Sequence, residues 1–299
     1  MQREKTYTTT IADRLSAKLA DYKQLVKFRL TSIVVFSAGM GYLLAAPGAI
    51  DWSGLLLIGL AGFFVTGSAN ALNEIIEKDY DKLMKRTANR PLPTNRMSTV
   101  EALLMAGLMG VAGIFLLATQ FNYLAALIGA LSLLSYAFIY TPLKRISNIA
   151  VFVGAIPGAL PPMIGWVAMT GSITLEAFIL FSIQFLWQFP HFWAIAWKAD
   201  DDYRRAGFHL LPSPGGKDKS SAMQAFVYAM FLIPISVLPF YFGVTGVVSA
   251  IIAIILGAYY AYYAFKLYKT VDDKAATKLM FASFVYLPVV QIALWLDKI

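Results

Sequence analysis

Asn73, Glu77 and Asp81 recur at i, i+4 and i+8. On an α-helix, residues four apart drift by only about 40°, so the three share one face. Two carboxylates and an amide oxygen in a row suit a hard divalent cation such as Mg²⁺, which takes oxygen ligands and retains several waters. Asp79, in the same stretch, points off that face. The competing reading is that these acids are solvated groups balancing nearby lysines. A second acidic run, Asp200-Asp201-Asp202, stands far along the chain. Three adjacent carboxylates repel one another unless cations neutralise them. Bases accompany both runs: Arg86 and Arg90 after the first, Lys198, Arg204 and Arg205 around the second, and Lys144-Arg145 between. Acids that hold a metal beside bases that bind phosphoryl oxygens are what a metal-bridged polyphosphate requires. Any one of these bases, taken singly, could equally be fixing loop topology.

The elements that must position these groups follow from composition. Of 299 residues, 59% are hydrophobic and only 14% charged, with mean hydropathy +0.63. A soluble chain carries about 25% charged residues, so the expected class is all-α, a polytopic membrane protein. Nine stretches are long and apolar enough to span a bilayer, at about 29–47, 53–73, 99–119, 122–141, 147–169, 174–197, 222–242, 245–267 and 277–296. The fifth contains Pro157, Pro161 and Pro162. Proline breaks the hydrogen-bond ladder, and a bilayer tolerates the freed carbonyls only where protein or a wet cavity meets them. Pro190 in the sixth raises the same demand.

Of 25 Lys and Arg, 24 fall before the first stretch or in the loops after the second, fourth, sixth and eighth; Lys298 is the exception. The positive-inside rule then puts the N-terminus in the cytoplasm and the C-terminus outside. Residues 1–28 read as a cytoplasmic N-terminal segment without a cleavable signal, and 29–299 as the membrane domain. The net charge of +8 is explained by this topology, so no nucleic-acid partner is expected. The two long loops, about 74–98 and 198–221, carry both acidic runs on that one face.

Cysteine is absent, which excludes disulfides, thiol catalysis and cysteine-ligated zinc or iron–sulfur centres. There is no phosphate-cradling glycine loop and no dinucleotide fingerprint. Of the two histidines, His191 lies in the last third of the sixth span, where a polar residue is either functional or structurally hydrogen-bonded. His209 lies in a loop.

Three segments together resemble the UbiA superfamily of membrane prenyltransferases, in its heme-farnesylating branch, over about residues 25–296. The first is 73–92, with Met84, Arg86, Thr87, Arg90 and Pro91 in the family's places. The second is Tyr140-Thr141-Pro142-Leu143-Lys144-Arg145, followed by the glycine- and proline-rich run 154–162 and Gly165-Trp166. The third is Trp187-Gln188-Phe189-Pro190-His191-Phe192, then Asp202-Tyr203, Ala206-Gly207 and Leu211-Pro212. Glu77 stands where the family usually has Asp, Lys198 where the quinone branch has the leading Asp of its second motif, and His209 where Met or Pro is usual.

The resemblance implies about nine helices bundled around a central cavity open to the cytoplasm. It implies farnesyl diphosphate and heme b (protoheme) as substrates, the lipid bilayer of a bacterial inner membrane as host, and a downstream heme A synthase as partner. Mg²⁺ would be held by Asn73, Glu77 and Asp81, with Asp201 or Asp202 opposite. Arg86, Arg90, Lys144, Arg145 and Lys198 would neutralise the leaving diphosphate. Tyr140, Tyr203 and His191 would contact substrate, with His191 on the heme iron or a propionate. Competing readings are prenylation of a quinone precursor or a chlorophyllide, a secondary transporter, and a passive scaffold for respiratory-complex assembly.

Overall fold

The computed structural model describes residues 11–299 and is helical throughout its regular elements. Arg3 and Lys5 of the expected N-terminal segment lie outside the described residues. A short helix α1 (Ile11–Leu25) precedes α2 (Phe28–Ala45), α3 (Trp52–Asp81), α4 (Thr99–Gln120) and α5 (Tyr123–Leu143). Then come α6 (Ala150–Thr170), α7 (Leu175–Lys198), the single-turn α8 (Asp200–Arg205), α9 (Lys219–Tyr241), α10 (Val247–Thr270) and α11 (Asp273–Leu296). Among the described residues, nine of these are long and apolar enough to cross a membrane. They agree with the nine expected stretches to within a few residues, except that α3 runs on to Asp81.

Each long helix packs on its neighbours in sequence, and α2 closes the bundle against α6 and α11 while α7 packs on α9 and α11. The proline-rich α6 is the most enclosed span, with 72% of its apolar window buried against 28% for α9. Its prolines explain why. Pro161 and Pro162 have no N–H to give to the carbonyls of Pro157 and Gly158. Ser132 Oγ on α5 donates to the Pro157 carbonyl at 3.3 Å, and Gln184 Nε2 on α7 donates to the Gly158 carbonyl at 2.8 Å. The freed backbone is therefore met by protein, as a bilayer requires.

Lipid cannot drive helix association hydrophobically, so close van der Waals packing must do it. At the α2–α6 crossing a Cβ on Gly165 would sit 1.9 Å from the Ala38 carbonyl oxygen, so the backbones approach to a distance only glycine permits. At the end of the bundle away from the long loops, Lys298 donates to the carbonyls of Leu43 and Ala46 at 3.0 and 2.7 Å. The one base outside the dominant face thus caps the last turn of α2.

Candidate active site

Helix α3 has 30 residues. At 1.5 Å per residue it is about 45 Å long, against a hydrocarbon core of about 30 Å. Its last turns, beyond its apolar stretch, carry Asn73, Glu74, Glu77 and Asp81 buried on one face. Asp79, off that face, is exposed and paired with Lys82 at 2.8 Å.

The helix stops at Asp81, short of the Arg86–Arg90 turn that a continued helix would have formed. The Leu83 and Met84 N–H groups bond three residues back to Tyr80 and Asp81, tightening the last turn. Thr87 Oγ1 donates to the Asp81 carbonyl at 2.9 Å, satisfying a group the helix end leaves open. Met84, Leu92 and Met97 then anchor the loop in the protein at 2%, 0% and 1% exposure. The chain is thereby folded back over the acids it has just left. Arg90 Nη1 donates to Asp81 Oδ2 at 2.8 Å, and its Nε lies 3.3 Å from Glu74 Oε1.

Two further bases enter from other helices. Lys144, one residue past α5, donates to Glu77 Oε1 at 2.6 Å and lies 4.7 Å from the centre of the Tyr140 ring. Residues Ser135–Tyr140 of α5 form a π-turn in which the Thr141 N–H bonds to the Tyr136 carbonyl. The Thr141 hydroxyl donates to the same carbonyl and accepts from Asn73 Nδ2 at 3.1 Å. Lys27 joins α1 to α2 in the left-handed conformation, φ 49°, and donates to Asn73 Oδ1 at 2.6 Å. Left-handed backbone is uncommon for a non-glycine residue and marks a place where surrounding structure enforces it.

Removal from water pushes the Lys27 ammonium down to about 7, with the charge of Arg90 adding to the effect. Burial also works against charge on Lys144, but Glu77 outweighs it and leaves this lysine above its ordinary value. For Arg90, burial is likewise outweighed, by Glu74 and Asp81.

The second acidic run reaches the same region through the loop. Asp202 accepts from the backbone N–H of Lys85 and of Arg86, each at 3.3 Å, and pairs with Arg205. Arg86 Nη2 donates to the Tyr203 hydroxyl at 3.1 Å. Arg145 stacks 4.1 Å over the Tyr80 ring and donates to its hydroxyl. The His209 side chain is exposed, but its backbone N–H donates to the Lys144 carbonyl at 3.3 Å, docking the second loop on the end of α5.

Of the residues expected at the site, Asn73, Glu77 and Asp81 line one buried face and are met separately, Asn73 by Lys27 and Thr141, Glu77 by Lys144 and Asp81 by Arg90, with Tyr140 beside Lys144. Asp202, Arg86 and Tyr203 form an adjoining layer. Asp201 and Lys198 are exposed, and neither enters an ion pair among the described residues. His191 is buried within α7, its Nδ1 2.7 Å from Ser283 Oγ and its ring stacked on Trp187. Neither spacing nor the family resemblance gives Lys27, Glu74, Thr141 or Tyr80 a role at the site, yet all four touch it. Glu74 had a usable signal, because i, i+3, i+4 spacing places it beside Asn73 and Glu77.

Among the described residues no three carboxylates or histidines converge into a ready-made cation cage. The expected acids are turned onto bases instead, which is how buried charges are tolerated. Both carboxylate oxygens of Glu74 and Oδ1 of Asp81 are buried without a hydrogen-bond partner. The expected donors Asn73, Glu77 and Asp81 all offer oxygen, and Asp81 Oδ1 among them carries an unused lone pair, so the set fits Mg²⁺. The arrangement as a whole can take up an anion of several charges through Lys27, Arg90 and Lys144, and a divalent cation through the oxygens those bases release.

A structure on the biosynthesis of digeranylgeranylglyceryl phosphate synthase in membranes superposes with TM-score 0.77 at 21% identity, covering 94% of this chain and 98% of that one. A UbiA homologue from Archaeoglobus fulgidus bound to DMAPP and Mg²⁺ gives TM-score 0.66 at 14% identity, over 90% of this chain and 99% of that one. Sequence relatives are nearer. A Cytophaga hutchinsonii protein named protoheme IX farnesyltransferase is 50% identical over 285 residues, covering 95% of this chain and 100% of the relative. A protein of the same name from Christiangramia forsetii is 45% identical over 295 residues, 97% of each. The family model for UbiA prenyltransferases matches residues 34–286. With that match over most of its length, and the fold to go with it, the chain belongs to the UbiA prenyltransferase family.

Proposed function

We propose that this membrane enzyme transfers the farnesyl group of farnesyl diphosphate to a vinyl group of heme b, with addition of water, giving heme O and diphosphate. The observation that carries the reading is the interleaving of Asn73, Glu77 and Asp81 with Lys27, Arg90 and Lys144 at the C-terminal end of α3. Its acceptor assignment is supported by relatives of 45–50% identity that bear that enzyme name.

In this reading the bases hold the diphosphate, and Arg86 and Arg145 extend their reach at the rim. When bound, Mg²⁺ on Asn73, Glu77 and Asp81, with Asp201 or Asp202 contributing from the second loop, supplies further positive charge at the diphosphate oxygens. The allylic C–O bond breaks heterolytically and its electron pair leaves with diphosphate. Lys144 and Arg90, held beside the acidic face of α3 by Glu77, Asp81 and Glu74, turn to the diphosphate oxygens and stabilise that developing charge. The farnesyl cation needs a dry surrounding, or water captures it first. A central cavity between the helices, open at the loop face, would provide it, with Tyr140 and Tyr203 near its mouth. The vinyl π electrons form the new C–C bond. Water adds to the resulting porphyrin-side cation and loses a proton, leaving a hydroxyethylfarnesyl group. Ser283 occupies His191 Nδ1, so Nε2 is the nitrogen proposed for the heme iron or a propionate.

The 24-to-1 partition of basic residues supports a cytoplasmic face for the site, in a bacterial inner membrane. A downstream heme A synthase would consume the product. Mass spectrometry of heme extracted after expression in cells lacking heme O tests the reading. A farnesylated, hydrated heme supports it. Unmodified heme, with membranes instead prenylating 4-hydroxybenzoate, would overturn the acceptor.

A further inference from the structure

Helix α1 poses a physical problem that the site does not explain. Ile11, Leu15 and Leu19 form an i, i+4, i+8 stripe and are 80%, 66% and 55% exposed. The second half of the helix is held firmly to the bundle. Arg96 Nε donates to Asp21 Oδ1 at 2.9 Å, and Leu25 is fully buried. Lys18 and Tyr22 both bond the Glu101 carboxylate, at 2.9 and 2.6 Å. Glu101 lies in the first turn of α4, whose N-cap is Ser98, so α1 is fixed level with the end of a membrane span.

The polar residues of α1 are not scattered. Around the helix, Lys18 and Arg14 border the apolar stripe on one side and Lys23 on the other. Asp13, Ser16, Ala17 and Gln24 take the opposite face. A helix with an apolar stripe edged by lysine and arginine, and acid kept away from it, has the pattern of one lying in a membrane surface. The surroundings agree. Beside α1, the outward face of α4 presents Val100, Leu104 and Leu108 at 67%, 63% and 71% exposure. A shallow, open depression of about 390 Å³ lies where Tyr22 of α1 meets α4, lined there by Ser98, Val100, Glu101, Leu104, Met105 and Leu108.

We infer that α1 lies in the plane of the bilayer leaflet on the site side, its Ile11–Leu15–Leu19 stripe among acyl chains and the exposed Arg14 and Lys23 level with anionic phospholipid headgroups, with an acyl chain lying along the apolar surface where α1 meets α4. Lipid is the occupant the observations favour, because the stripe is continuous with the lipid-facing surface of α4 and the charges that edge it are positive. The consequence for the site is direct. Lys27 follows α1 by two residues, so the lipid-seated helix is one of the elements that hold its left-handed backbone and aim it at Asn73.

The chain has no cysteine, so single nitroxide labels can be placed without background. Ile11→Cys, Leu15→Cys, Leu19→Cys, Asp13→Cys, Ser16→Cys and Ala17→Cys would be labelled in the full chain in nanodiscs of phosphatidylcholine with and without phosphatidylglycerol. Relaxation by oxygen, which partitions into bilayers, is compared with relaxation by a water-soluble nickel chelate. The expected oxygen-to-nickel ratio is several-fold higher at 11, 15 and 19 than at 13, 16 and 17, and the contrast shrinks without phosphatidylglycerol. Equal ratios at all six positions would overturn the inference. Stripe labels shielded from both reagents would place a second copy or another protein there, and would overturn it as well. A contrast indifferent to phosphatidylglycerol would remove the anionic-headgroup component.

Discussion

Replacing Asp81 by Asn is the most direct perturbation of the site. The amide keeps the volume of a side chain that is fully buried, so packing is unchanged while one negative charge disappears. Asp81 Oδ2 receives the Arg90 guanidinium at 2.8 Å, and its Oδ1 has no partner. Breaking a buried ion pair by removing one member costs about 3–5 kcal/mol. Arg90 keeps Glu74 at 3.3 Å, so the lower end applies, about 3 kcal/mol of stability. Transfer suffers separately, because a diphosphate-loaded site loses both a metal donor and the alignment of Arg90. Losing one preorganised electrostatic contact costs about 10²–10³ in kcat. The assay is single-turnover release of diphosphate from farnesyl diphosphate in nanodiscs, with Tm measured on the same sample. Glu77→Gln, which frees Lys144 instead, should behave alike. A folded Asp81→Asn protein with transfer within about threefold of wild type at saturating Mg²⁺ would refute the electrostatic reasoning.

Lys27 gives a pH prediction. Its folded value of about 7 lies below that of an unfolded lysine, so between the two the unfolded chain binds more protons and stability rises with pH. Lys27→Met should therefore be more heat-stable than wild type near pH 7, with the gap closing by about 1 kcal/mol per pH unit toward pH 9. A pH-independent gap contradicts this. Gln184→Ala strips the donor from the Gly158 carbonyl that Pro162 leaves open, for a loss of about 1–3 kcal/mol. Pro162→Ala restores a backbone N–H and should rescue it in the double variant; additive losses on thermal unfolding would show that the proline is not the reason. His191→Ala should change the absorption spectrum of added heme if Nε2 contacts iron, whereas an identical spectrum removes that role.

Much of this protein is written locally. Nine spans are legible because apolar runs of about 20 residues can satisfy their backbone only as helices in lipid. The shared face of Asn73, Glu77 and Asp81 follows from helical periodicity and needs no tertiary information. Even the demand for outside donors to α6 can be read from Pro161 and Pro162, because a missing N–H is a covalent fact. Which groups answer it, Ser132 and Gln184, cannot be read, since they lie on other helices. The same limit governs the site. Sequence supplies a list of bases with equal formal charge, and only the folded chain separates Lys144 and Arg90, buried on acids, from Lys198, left in solvent. It also decides that α3 ends at Asp81, that a π-turn in α5 brings Thr141 to Asn73, and that Lys27 arrives from the start of the first span, 46 residues before Asn73. Spacing along one helix is set by its own geometry, whereas the pairing of charges across helices depends on distances and burial that exist only after the bundle has closed.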